Sequence, residues 1–96
     1  MAQHYTIHIN AHNEPAVLPR VLLTFSRRRL RIEAMQFYDL QAGKAAELQI
    51  DLDCTAEHLR DVLAQLRAIV EVTQVRAEPA LQPRAVASLN SRRAAA

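Results

Sequence analysis

His4-Tyr5-Thr6-Ile7-His8-Ile9-Asn10-Ala11-His12-Asn13-Glu14-Pro15-Ala16-Val17-Leu18-Pro19-Arg20-Val21-Leu22-Leu23-Thr24-Phe25 decides the fold, because its apolar residues change rhythm once. Tyr5, Ile7, Ile9 and Ala11 alternate with His4, Thr6, His8 and Asn10. A period of two gives a strand one apolar face and one polar face. His12-Asn13-Glu14-Pro15 is a turn cluster. Beyond it Leu18, Val21, Leu22 and Phe25 recur at i, i+3, i+4 and i+7, the stripe of a helix. Pro19 fits if the regular helix begins near Ala16. Its missing N–H then falls in the first turn, where no intrahelical acceptor exists; in a helix interior it would cost ~3 kcal/mol. Arg27, Arg28 and Arg29 fall in the last turn, where positive charge complements the helix dipole.

The same two rhythms continue outward. Residues 30–39 read as a second strand carrying Ile32, Ala34, Met35, Phe37 and Tyr38, with a slip of the alternation at Ala34–Met35 that predicts a bulge. Gln41-Ala42-Gly43-Lys44 makes a hairpin connection around the only glycine. Residues 46–53 form a third strand, with Leu48, Ile50 and Leu52 on one face and Gln49, Asp51 and Asp53 on the other. Thr55 is an N-cap with Glu57 in the first turn, and Leu59, Val62, Leu63, Leu66 and Ile69 form the stripe of a second helix to about residue 68. Val70, Val72 and Val75 mark a last strand over residues 70–77. The order βαββαβ predicts a ferredoxin-like α+β sandwich: a four-stranded antiparallel sheet with two helices on one face. Thr6, His8, Asn10, Gln49, Asp51 and Asp53 would then line the opposite face, open to water or a polar partner.

Ninety-six residues make one domain, which burial of only ~60–65% of the unfolded surface leaves marginal and open to support from a partner subunit. Residues 1–78 read as that domain and residues 79–96 as a flexible basic tail. Nine basic and ten acidic side chains fall in the first part; Arg84, Arg92 and Arg93 put the net charge of +2 into the second. No apolar run approaches the ~20 residues that span a bilayer. The start, Met1-Ala2-Gln3-His4-Tyr5, lacks the features of a signal peptide. One cysteine, Cys54, allows neither an internal disulfide nor a cysteine-based metal site. These features point to the cytoplasm.

No constellation in the chain carries catalysis. His4, His8 and His12 share one side of a strand, but i to i+4 spans ~13 Å there, too far for one metal ion. They read as polar-face residues, with a cross-strand site of His8 and Asp51 as the alternative. Asp51 and Asp53 lie at i, i+2 without a glycine loop or a nucleophile beside them, and read as a solvated face. Cys54, at a strand–helix junction, reads as a packing residue. Arg27-Arg28-Arg29-Leu30-Arg31 is the strongest charge cluster. RNA-recognition domains of this fold stack bases on aromatics of the central strands, whereas the outward positions here are His, Thr, Asn, Gln and Asp. A helix end with intersubunit ion pairs is the preferred reading of the arginines. There is no Walker loop, GxGxxG, GxSxG or HExxH.

Residues 13–35 resemble the opening of an ACT domain and, more narrowly, that of the small subunit of acetolactate synthase. That family has an asparagine-containing loop, a helix with Leu-x-Arg-Val and Phe-Ser-x-Arg, and a strand with Ile-Glu-Ser-Leu. Here the segments read Leu18-Pro19-Arg20-Val21, Phe25-Ser26-Arg27-Arg28 and Ile32-Glu33-Ala34-Met35. Leu63-Ala64-Gln65-Leu66-Arg67-Ala68-Ile69-Val70-Glu71-Val72 is similar to the family's segment at the second helix and last strand. The length resembles the short single-domain type. The resemblance implies a non-catalytic subunit that activates a large subunit in branched-chain amino-acid biosynthesis. It also implies a homodimer. This chain would hold no cofactor; thiamine diphosphate, Mg²⁺ and FAD would sit in the catalytic partner. It implies an effector loop at Asn13, Glu14 and Ala16, with Arg31 from the second strand. Ala16 and Arg31 stand where valine-responsive members have glycine and asparagine, and Arg29 where the first helix ends in glycine. Weak or absent feedback sensing is therefore expected. Arg20, Phe25, Leu30, Phe37 and Tyr38 are the expected subunit-interface residues, an aromatic-plus-arginine mix suited to interfaces. A free-standing amino-acid-binding regulatory module is the alternative reading.

Overall fold

A computed structural model describes residues 2–80. Its elements are β1 (Gln3–His12), α1 (Val17–Arg27), β2 (Ile32–Leu40), β3 (Ala45–Cys54), α2 (Ala56–Arg67) and β4 (Val72–Pro79), with one 3₁₀ turn, Gln41–Gly43, between β2 and β3. The strands form one antiparallel sheet in the order β2-β3-β1-β4. This is the expected ferredoxin-like arrangement. The tail expected over residues 79–96 lies outside the described residues from residue 81 onward, and Pro79 itself belongs to β4, paired with Tyr5.

The two central strands carry the core. β1 and β3 pair without interruption from Gln3↔Cys54 to His12↔Ala45. Ile7, Ile9, Leu48, Ile50 and Leu52 point from them toward Val21, Phe25, Val62 and Leu66 of the helices, and all nine are at most 1% exposed. Fully burying one such side chain contributes about 1.5–3 kcal/mol. Pro19 is the third residue of α1, inside the first turn, so the helix starts where the proline requires. Thr55 caps α2 as expected, its hydroxyl accepting a bond from the His58 N–H at 3.2 Å.

Four expectations need correction. Only Arg27 lies in the last turn of α1; Arg28 caps it and Arg29 sits beyond it at φ 56°. Arg29 N–H donates to Ser26 and Leu30 N–H to Phe25, the paired bonds of a Schellman ending that requires a left-handed residue. The bulge in β2 falls at Glu33, between Ile32 and Ala34, rather than at Ala34–Met35. Val70 is in the turn after α2 and is 86% exposed, so β4 starts two residues later than its valines suggest. The polar sheet face is also less open than expected: Thr6 is fully buried and His8 is 9% exposed. β1 is central, so side chains on both flanking strands roof it. Thr6 donates to Asp51 at 2.7 Å, His8 Nε2 meets Glu78 at 3.0 Å and His4 Nδ1 meets Glu33 at 3.1 Å.

Candidate functional site

Two regions of the surface carry the residues that the sequence singles out: the loop after β1 and the β2 edge. The loop is fixed by backbone bonds on both sides. His12 N–H donates to Glu71 at 2.8 Å, and Asn13 N–H to Lys44 at 3.2 Å. Glu14 and Ala16 are exposed, and the Asn13 amide donates to Asp39 Oδ1 at 2.7 Å. The loop is thereby tied to the end of β2 as well. Arg20 NH1 reaches both oxygens of Glu71 at 2.8 Å, bracing α1 against the turn that leads into β4. His12, Glu14, Pro15, Ala16, Val70 and Glu71 line a shallow depression beside this brace.

Arg31 is elsewhere. It precedes Ile32, which pairs with Leu52, which in turn pairs with Tyr5. Tyr5 and His12 are seven residues apart on one strand, or ~23 Å at ~3.3 Å per residue. Asn13, Glu14 and Ala16 therefore stand at one end of the sheet and Arg31 at the other. A single chain does not bring the four expected effector residues around one ligand.

The expected interface set divides as well. Phe25 is 1% exposed: its ring belongs to the core and is not available to a partner. Leu30 is half-buried and packs against that core. Phe37 and Tyr38 do lie on the surface, together with Met35 and Leu40, which the expected interface set did not include. These four are the large exposed apolar residues of β2; the others among the described residues are Leu23 and Val70. The available signal was that β2 carries apolar residues at both parities, which fits a strand with a neighbour on each side of its plane. Nothing in one sequence says that such a strand lies at an edge.

The remaining candidates are occupied structurally. Asp51 accepts from Thr6, while Asp53 is exposed, so the two do not act as a pair. The alternative His8–Asp51 site is not formed, because each residue has another partner. Burial, and then the charge of Asp53, push the Cys54 thiol above its ordinary range, the opposite of what a nucleophile needs. The Arg27–Arg29 run ends the helix layer, away from the open sheet face, and Arg28 reaches Asp61 at 3.5 Å. Among the described residues no three His, Cys, Asp or Glu side chains gather as a metal site, and no helix is long and apolar enough to cross a membrane.

Comparison with known proteins agrees with this geometry. A family model described as "ACT domain" matches residues 2–76. No curated protein matches the chain in sequence. An uncharacterized protein from Thermotoga maritima superposes with a TM-score of 0.72 at 16% identity, over 85% of this chain and 100% of that one. The ACT domain from GTP pyrophosphokinase of Chlorobium tepidum gives 0.68 at 13% identity, over 81% and 100%. The acetolactate synthase small subunit from Thermotoga maritima gives 0.71 at 22% identity, over 82% of this chain and 49% of that one. At these identities the likeness is one of fold.

Proposed function

The chain belongs to the ACT-domain family, and from that membership we propose that it is a non-catalytic activating subunit of an acetolactate synthase, one that works by contact and senses feedback weakly or not at all. An ACT domain is a regulatory module rather than a catalyst, and this one has no nucleophile–base pair among its described residues. The specific partner is inferred from the residues that resemble the small subunit. Leu18–Val21 and Phe25–Arg28 fall on α1, and Ile32–Met35 on β2.

One observation carries the reading: β2 is an edge strand whose Met35, Phe37, Tyr38 and Leu40 are 36–43% exposed beside free backbone groups. Such an edge is a template for another chain. We take its first occupant to be a second copy of this chain. The split between Asn13 and Arg31, and the Cβ of Ala16 where a close ligand would lie, both argue against effector sensing within one chain. Thiamine diphosphate, Mg²⁺ and FAD would belong to the catalytic partner.

The test is reconstitution. The full chain is added to a separately purified large subunit, and turnover of pyruvate is followed. A several-fold rise is expected; no rise at a molar excess would remove the reading. The neighbouring fold of the GTP pyrophosphokinase domain favours a second one, a free-standing amino-acid-binding module for some other enzyme. Micromolar heat signals on titration with valine, leucine or isoleucine, without any partner, would support that alternative. A flat titration argues against it.

A further inference from the structure

The sheet has two edges, and they are not alike. β2 borders β3 on one side only, and its residues 34–40 hold neither lysine nor proline. β4 borders β1 on one side only, but its outer side is obstructed. The alternation of the ladder tells which groups of β4 face outward. Ala80 N–H donates to the His4 carbonyl at 2.9 Å, so His4 and Ala80 form a bonded pair. Thr6↔Glu78 and His8↔Arg76 have the same parity. The pairs between them, Tyr5↔Pro79, Ile7↔Ala77 and Ile9↔Val75, therefore turn the backbone groups of Val75, Ala77 and Pro79 away from β1.

Those three outward positions are what an added strand would bond. Pro79 has no N–H to offer. At Val75 the carbonyl is taken: Arg67 Nη2 donates to it at 3.2 Å. Arg67 is the last residue of α2, so its side chain reaches from the helix layer across the strand edge. A basic residue in a last turn complements the helix dipole. That role is met by any orientation of the side chain and does not call for the bond to Val75. Ala77 alone keeps both backbone groups for a newcomer, flanked by a guanidinium and a proline. Charged side chains and proline are the means by which a sheet edge avoids continuing into a neighbour.

We propose that Arg67, with Pro79, seals the β4 edge against the β2 edge of a second copy, so that this sheet gains strands at β2 alone. The inference holds whichever enzyme the chain serves; it takes from the reading above only that β2 is open. The strand kept out is β2 because the two edges match in their apolar sides. Met35 and Phe37, opposite Ile50 and Leu48, are 38% and 36% exposed on the helix side of β2. Val75 and Ala77, opposite Ile9 and Ile7, lie on that same side of β4. A sheet open at both edges would join β4 of one copy to β2 of the next, a head-to-tail contact that repeats into rings or filaments. With β4 sealed, growth stops at the contact made through β2.

The experiment follows the full 96-residue chain and its Arg67→Ala variant by sedimentation at 1 and 100 μM, with hydrogen exchange read at the β4 amides. Alanine keeps the helix propensity of the position. The parent forms nothing larger than a dimer, and its Val75 and Ala77 amides exchange at the same rate at both concentrations. Arg67→Ala grows to at least about twice the parent's mass at 100 μM, and those two amides slow about tenfold. Adding Phe37→Asp, which spoils the β2 edge, returns the variant to the parent's size or below. A variant of unchanged mass overturns the seal. So does growth that leaves the Val75 and Ala77 amides unprotected, because association then runs through another surface. Growth that persists with Phe37→Asp overturns β2 as the excluded strand. If Arg67→Ala loses its cooperative melt, Arg67→Gln, a shorter polar helix former, is put through the same two readouts and judged by the same outcomes.

Discussion

At the scale of the residue, the chain holds a few positions against their local preference. Arg29 adopts φ 56°, a region that costs an L-residue about 1 kcal/mol or more, because the Schellman bonds at the end of α1 need that turn. Arg29→Gly is expected to stabilise the fold by about 0.5–1 kcal/mol. At ~4–8 °C per kcal/mol for a domain of this size, thermal unfolding should shift upward by several degrees; a lower melting temperature would contradict the Schellman account. Cys54 is the second case. Its thiol is neutral in the fold and ionises more readily once unfolded, because its folded pKa is raised by burial. Its contribution is therefore fully present below the ordinary thiol pKa and is lost as pH rises above it. Native protein at pH 8 should react with iodoacetamide far more slowly than denatured protein, and equal rates would show that the thiol is accessible. His8 and Thr6 belong to this scale too. Their alternation with Ile7 and Ile9 marks them as polar-face residues, but alternation does not reveal that flanking strands cover that face.

At the scale of the element, most boundaries follow from chemistry contained in ten residues or so. Pro19 and the turn cluster before it fix the start of α1, and Thr55 fixes the start of α2. Thr55→Ala should destabilise the domain by about 1 kcal/mol, seen as a lower midpoint in urea with an unchanged slope. A change of slope would mean that more than a cap was lost. β4 was the least legible element. Val70 and Val72 suggest one apolar run, but α2 ends at Arg67, and the chain needs residues 68–71 to turn back. The His12 N–H bond to Glu71 and the Arg20–Glu71 pair hold that turn in place. Val70 is left outside because its position in the turn points it away from both layers. The bulge at Glu33 was legible as a break in period but not in position, because β3 across the ladder decides which residue is left unpaired.

At the scale of the whole molecule, a small sheet covered on one face leaves a nine-residue edge strand for a partner to finish. If copies pair there, stability depends on concentration by mass action. The melting temperature of the parent chain should rise as protein concentration is raised from 1 to 100 μM, while that of Phe37→Asp stays flat. Parallel behaviour of the two would disconnect β2 from assembly. A core substitution acts differently: Leu48→Ala should cost about 2–5 kcal/mol at every concentration, because Leu48 is fully buried between both layers. That is a large share of the ~5–15 kcal/mol that holds a typical domain together, and loss of the native fold in mild denaturant is the expected readout.

By itself the sequence determined the order of elements, the face the central strands and the helices bury, and the cap that starts α2. Each of these is written in a repeat of two or 3.6 residues, or in a single polar side chain beside a helix end. Only the tertiary structure decided which strand lies at the edge, that Met35 and Leu40 are exposed there, and that Asn13 and Arg31 stand at opposite ends of the sheet. Those facts depend on which strands pair across long stretches of chain, and periodicity within a strand is the same whether its neighbour is β3, β4 or another molecule.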